Sequence, residues 1–133
     1  MKKFLIALWL GSVMFGLAAC GGDGDPSDKI AVTMTDFAFD SQTWAVPAGK
    51  SITLTLINKG ANEHEWVLIK AGTSVTLPFD DDDEDKVYWE VEVAPGETKT
   101  ATFTAPSAPG TYEVVCGLPA HIEGGMEAAL IVK

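Results

Sequence analysis

The chain has 133 residues, of which 47% are hydrophobic and 21% charged, with 9 Lys+Arg against 19 Asp+Glu, 2 Cys and 2 His. That length suits one domain with a short appendage. The net charge of −10 argues against a nucleic-acid binder, which would carry a basic patch, and two Cys with two His leave no room for several metal centres or a multi-disulfide scaffold.

Lys2 and Lys3 precede an apolar run from Phe4 to Ala19, interrupted only by Gly11, Ser12 and Gly16. A basic start and a short apolar stretch predict a secretory signal peptide over residues 1–19, since sixteen residues fall short of the roughly 20 that span a bilayer. Leu17-Ala18-Ala19-Cys20 resembles the lipobox of bacterial lipoproteins, which implies cleavage before Cys20 and lipid on its sulfur. Several acyl chains would anchor the protein stably to the extracytoplasmic side of a bacterial membrane. Residues 20–29 then read as the lipidated Cys and a polar, flexible tether. Losing Lys2 and Lys3 with the leader takes the charge to −12.

From Ile30 the pattern is one of short strands. Ile30, Val32 and Met34 alternate with polar or small residues, so Met34 belongs to a core face. Trp44 to Val46 follows, then a Pro47–Lys50 turn, the alternating Ile52, Leu54 and Leu56, and a turn at Asn58-Lys59-Gly60. Glu65 to Lys70 is a β-rich run. Val87, Trp89, Val91 and Val93 share one face of the next strand, and Thr98–Thr104, Thr111–Val115 and Ala128–Val132 complete the series. Residues 71–86 between them read as an inserted loop. Seven or eight short strands with Gly/Pro turns and no helical stripe predict an all-β domain over 30–133, a Greek-key antiparallel β-sandwich.

Once Cys20 carries lipid, Cys116 is the remaining thiol. It lies where a strand enters the loop Gly117-Leu118-Pro119-Ala120, followed by His121 and Met126, with four residues in each spacer. The other histidine, His64, opens a separate strand. One thiolate, two imidazoles and a thioether form a soft, mixed donor set: zinc sites seldom use Met, and calcium wants oxygens. Cys with two His and a weak axial Met is the ligand set of blue-copper electron-transfer sites. Taken singly, a buried inert Cys116, an ordinary histidine or a space-filling Met126 are the plainer readings, but they require four separate coincidences.

The segment from Tyr112 through Cys116 and His121 to Met126 resembles the C-terminal copper loop of the cupredoxins, with a spacing nearer the auracyanin and rusticyanin pattern than the plastocyanin one. Asn62-Glu63-His64 resembles the upstream His motif, and the likeness runs from Ile30 to Val132. It implies one type 1 copper per chain, bound by His64, Cys116, His121 and Met126, and a cupredoxin-like fold. The chain departs from azurin and plastocyanin in one place: Glu65, rather than Asn, directly follows the upstream His. An ionised Glu65 beside the site would favour Cu(II) and lower the reduction potential.

With both histidines used, no second His-ligated copper centre and no Ser-His-Asp set is available within the chain, so an enzyme is not expected. The expected function is a membrane-tethered carrier of single electrons. Its partners would be redox proteins such as a c-type cytochrome or a membrane electron-transfer complex, with a monomer the favoured state. The alternative is copper delivery or detoxification with the same ligands. A third reading is a metal-free lipoprotein that binds other proteins. In cupredoxins the loop His commonly lies in an apolar docking patch, for which Leu118, Pro119, Ala120 and Ile122 are the candidates. The acidic run Asp80–Asp85 reads as a solvated, mobile face, as electrostatic steering of a basic partner, or, least well, as a calcium site through Asp81, Asp83, Asp85 and Glu92.

Overall fold

Nine strands form, in chain order β1 (Lys29–Thr35), β2 (Ala38–Phe39), β3 (Thr43–Val46), β4 (Ser51–Asn58), β5 (His64–Ile69), β6 (Val87–Val93), β7 (Thr98–Thr104), β8 (Gly110–Val115) and β9 (Glu127–Val132). They are seen in a computed structural model that describes residues 24–133. The expected leader, residues 1–19, and Cys20, the expected lipid-bearing residue, lie outside the described residues. The strands make two sheets, ordered β2-β1-β4-β7 and β3-β9-β8-β5-β6.

The alternating positions do become the core. Ile30, Val32 and Met34 of β1 and Ile52, Leu54 and Leu56 of β4 face Trp66, Leu68, Tyr112, Val114, Leu130 and Val132 of the opposite sheet. Each such side chain, fully buried, stabilises the fold by on the order of 1.5–3 kcal/mol. Aromatic rings occupy the centre, where Trp66 packs at 5.5 Å from Phe103, 5.9 Å from Trp89 and 6.2 Å from Trp44.

Both sheets are mixed, not antiparallel throughout. β1 runs parallel to β4, with Ile30 opposite Leu54, and β3 runs parallel to β9, with Trp44 opposite Leu130. The chain reaches these pairings by crossing from one sheet to the other between β2 and β3 and back before β4.

Strand β5 breaks the alternation because both its faces are buried. His64, Trp66 and Leu68 point one way. Val67 and Ile69 point the other, onto a second cluster with Val115, Ile122 and the Val75 and Phe79 side chains of the segment between β5 and β6. That segment is the expected insertion, but its acidic run is an ordered 3-10 turn over Asp81–Lys86. Asp83 is buried; it accepts hydrogen bonds from the Thr76 amide (3.1 Å) and hydroxyl and pairs with Lys86 Nζ at 2.6 Å. Its carboxyl is therefore spent inside the fold and is not available to a calcium ion, while Asp81, Asp82, Glu84 and Asp85 remain exposed.

Candidate metal centre

His64 is the first residue of β5 and Cys116 immediately follows β8. These strands pair antiparallel with Val67 opposite Val115, so the start of one and the end of the other meet at the same end of the sandwich. The loop before His64 is tied down by Asn58, whose side-chain amide donates to Asn62 O (2.8 Å) and Val93 O (2.9 Å) and accepts from Gly60 N–H (2.8 Å). Asp36, in the β1–β2 turn, accepts from the Ala61 and Asn62 amides at 3.1 and 3.3 Å. Gly60 is required here: a Cβ would overlap Asp36 Oδ1 and lie 2.7 Å from His64 Nε2.

The loop from Cys116 to Met126 closes on itself. Cys116 N–H donates to Met126 O (3.1 Å), Met126 N–H to His121 O (2.9 Å) and His121 N–H to Leu118 O (3.1 Å). With Val115 opposite Glu127, both loop ends are pinned by the β8–β9 ladder.

This framework brings three donors together in the interior. His64 Nδ1 and His121 Nδ1 are 3.3 Å apart, and Cys116 Sγ is 3.2 Å from the His121 nitrogen and 3.9 Å from the His64 nitrogen. A metal held at roughly 2.0–2.3 Å from two nitrogens and a sulfur in a trigonal plane would separate them by about 3.5–3.8 Å. The donors already approximate that triangle. Cys116 and Met126 are fully buried, as is His64, so solvent does not compete for the site.

Burial holds His64 and Cys116 in their uncharged forms. Burial, reinforced by the neighbouring His121, lowers the pKa of His64 and keeps its imidazole neutral, as a ligand must be; Asp36 offsets this in part. Burial raises the pKa of the Cys116 thiol, against the pull of the Glu65 and Leu118 backbone N–H groups. Unaided, the sulfur would keep its proton; a metal ion replaces it. Asp36 Oδ1 lies 3.3 Å from His64 Nε2, off the line of a directed hydrogen bond but suited to orient the ring with Nδ1 inward.

At Glu65 the structure separates backbone from side chain. Its N–H donates to Cys116 Sγ at 3.3 Å, so a bond to the sulfur persists at this position whatever the side chain. The carboxylate lies over Gly117 and Phe79, where burial first, and then Glu90, Glu92 and Glu63, raise its pKa. Of the expected docking residues, Pro119 and Ala120 are exposed and Leu118 is half-buried. Ile122 is not on the face: it is 8% exposed and packs into the second cluster. Turn residues lack the period-2 alternation of a strand, so their order along the chain did not reveal which way Ile122 faces. Asp36 and Phe37, which reach the two histidines, had no signal in the sequence beyond lying between two strands.

Residues 5–132 match the family described as Cupredoxin-like domain. Auracyanin-A of Chloroflexus aurantiacus is 30% identical, the alignment covering 90% of each chain. The copper-resistant cuproprotein CopI of Rubrivivax gelatinosus is 27% identical over 84% of this chain and 71% of its own. Among solved structures, dithionite-reduced auracyanin of the photosynthetic bacterium Roseiflexus castenholzii superposes with a TM-score of 0.71 at 30% identity, covering 82% of this chain and 99% of that one.

Proposed function

The chain belongs to the cupredoxin-like domain family and is a blue copper electron-transfer protein, and we propose that its single copper is held by His64, Cys116, His121 and Met126. The observation that carries this reading is the buried triangle of two imidazole nitrogens and one sulfur, 3.2–3.9 Å on a side. When bound, copper supplies a one-electron couple between Cu(I) and Cu(II). The chain's own residues hold the donors still. Asn58 and Asp36 fix the loop before His64, the β8–β9 ladder fixes Cys116 and Met126, and two backbone N–H groups hold the sulfur. A framework that does not rearrange between oxidation states suits an electron carrier.

Neither histidine is free to act as a general base, so the protein carries electrons without catalysing a reaction of its own. Residues 1–19 serve as a signal peptide and Cys20 as a lipid anchor, with 30–133 as the electron-carrying domain on the extracytoplasmic side of a bacterial membrane. The net charge of −12 that remains without residues 1–19 suits a partner with a basic face, such as a c-type cytochrome or a membrane electron-transfer complex, meeting the exposed Pro119 and Ala120 and the half-buried Leu118. Copper delivery or detoxification is the second reading, supported by the likeness to the copper-resistant cuproprotein.

The test is to add Cu(II) to residues 21–133 and record the visible spectrum beside a Cys116→Ser variant. An intense blue band that bleaches reversibly on reduction, is absent from the variant and survives a copper chelator supports the electron carrier. Rapid loss of copper to the chelator supports delivery, and a colourless protein overturns both the ligand assignment and the carrier.

A further inference from the structure

The β1–β2 turn touches both imidazoles. Asp36 lies against His64, and the adjacent Phe37 sets its ring 5.1 Å from that of His121, with 61° between the planes, an edge-to-face contact. His121 is 7% exposed and Phe37 45%, so the phenyl touches a buried imidazole on one side and meets solvent on the other.

This arrangement is sterically costly. Phe37 has φ 65, a left-handed conformation that a bulky side chain seldom adopts. Among the described residues the one other non-glycine with positive φ is Ala120, at φ 67, which directly precedes His121. Gly124 completes the seat, because a Cβ there would come 2.5 Å from Phe37 Cδ1. Core packing does not account for the strain, since the ring it holds is left nearly half exposed. Strain of this kind persists where the surrounding structure imposes it, and it gathers at functional sites.

We propose that Phe37 is a positioning residue for electron exchange: its ring holds the His121 imidazole in place, keeps water from its outer edge and forms the apolar contact across which the electron passes. The proposal rests on the copper assignment above. In self-exchange one electron leaves a reduced copy and reduces an oxidised copy, with no proton moved and no bond broken. Two copies that meet through Phe37 shed water readily from an apolar face, whereas a truncated side chain leaves water against the imidazole and a longer gap.

The test uses the full chain with Phe37→Gly, Phe37→Leu and Phe37→Tyr. Glycine tolerates the left-handed turn, which offsets part of the lost ring contacts, so Phe37→Gly should still unfold cooperatively without metal, and that cooperative melt excludes misfolding as the cause of any other effect. In metal-free protein the His121 ring protons carry a ring-current shift from Phe37 that is lost in the Gly and Leu variants and kept in Tyr. In copper-loaded protein, self-exchange measured by NMR line broadening falls tenfold or more in Gly and recovers in Tyr. Self-exchange within twofold of wild type in a Gly variant that keeps its blue band overturns the proposal. If the wild type takes no copper, the carrier assignment fails instead, and unchanged His121 shifts in metal-free Phe37→Gly overturn the positioning contact by themselves.

Discussion

Replacing Gly60 by Ala isolates the packing that seats His64. The backbone at Gly60 is not left-handed, so the change alone should stabilise by about 0.4–1 kcal/mol through the unfolded chain. The new Cβ, however, would overlap Asp36 Oδ1, lie 2.7 Å from His64 Nε2 and 3.2 Å from Asn58 Oδ1. His64 has no exposed surface and is boxed in by His121 and Cys116, so it cannot yield. Asp36 is 36% exposed and can swing away, but only by releasing the Ala61 and Asn62 amides. Overpacking of this kind costs roughly 1–3 kcal/mol. The net expectation is a loss of about 0.5–2 kcal/mol, or roughly 2–8 °C in the Tm of a domain this size. Thermal unfolding of the metal-free protein measures it, with Gly24→Ala, where nothing lies within 4 Å, as the control. Copper affinity should fall in parallel because the loop that presents His64 is displaced. A Gly60→Ala protein as stable as wild type, with unchanged copper affinity, would refute the claim that this glycine sets the His64 position.

Three further outcomes are expected. Ile122→Ala should cost about 2–4 kcal/mol in urea unfolding, because the side chain fills the cluster of Val67, Ile69, Val115 and Phe79; a change near zero would put Ile122 back on the surface. Glu65→Gln should raise the midpoint potential by on the order of tens of millivolts at pH 8, since removing a partly buried carboxylate beside the sulfur disfavours Cu(II). An unchanged or lowered potential would sink that reading. The bond from Lys86, helped by Thr76, holds the Asp83 carboxyl down at about 2, from an ordinary 3.8. A carboxyl lowered in the folded state contributes stability that is present above about 3.8 and lost as pH falls through about 2. Asp83→Asn should therefore flatten the acid dependence of urea midpoints between pH 4 and 2, and identical slopes in the two proteins would show that Asp83 is not the group responsible.

Much of the molecule is legible residue by residue. Period-2 alternation in Ile30–Met34, Ile52–Leu56 and Val87–Val93 depends on one face meeting a core and the other meeting water, and that holds wherever the strand sits in its sheet. The unbroken apolar run Trp66–Ile69 marks a strand covered on both sides. Cys116, His121 and Met126 stand in one short loop, so their spacing is a local property that the chain itself carries. Other features exist only once the chain is folded. Alternation is the same for parallel and antiparallel neighbours, which is why the β1–β4 and β3–β9 pairings were hidden. An acidic run looks solvated until a lysine three residues on and a threonine seven back are brought to one of its members, Asp83. Asp36 and Phe37 reach His64 and His121 only because two sheets stack and place a β1–β2 turn over loops far along the chain. Local patterning thus determined the strands and three of the candidate ligands, while the packing of one sheet on the other decided what surrounds them, because contacts between distant segments leave no periodic trace in the sequence.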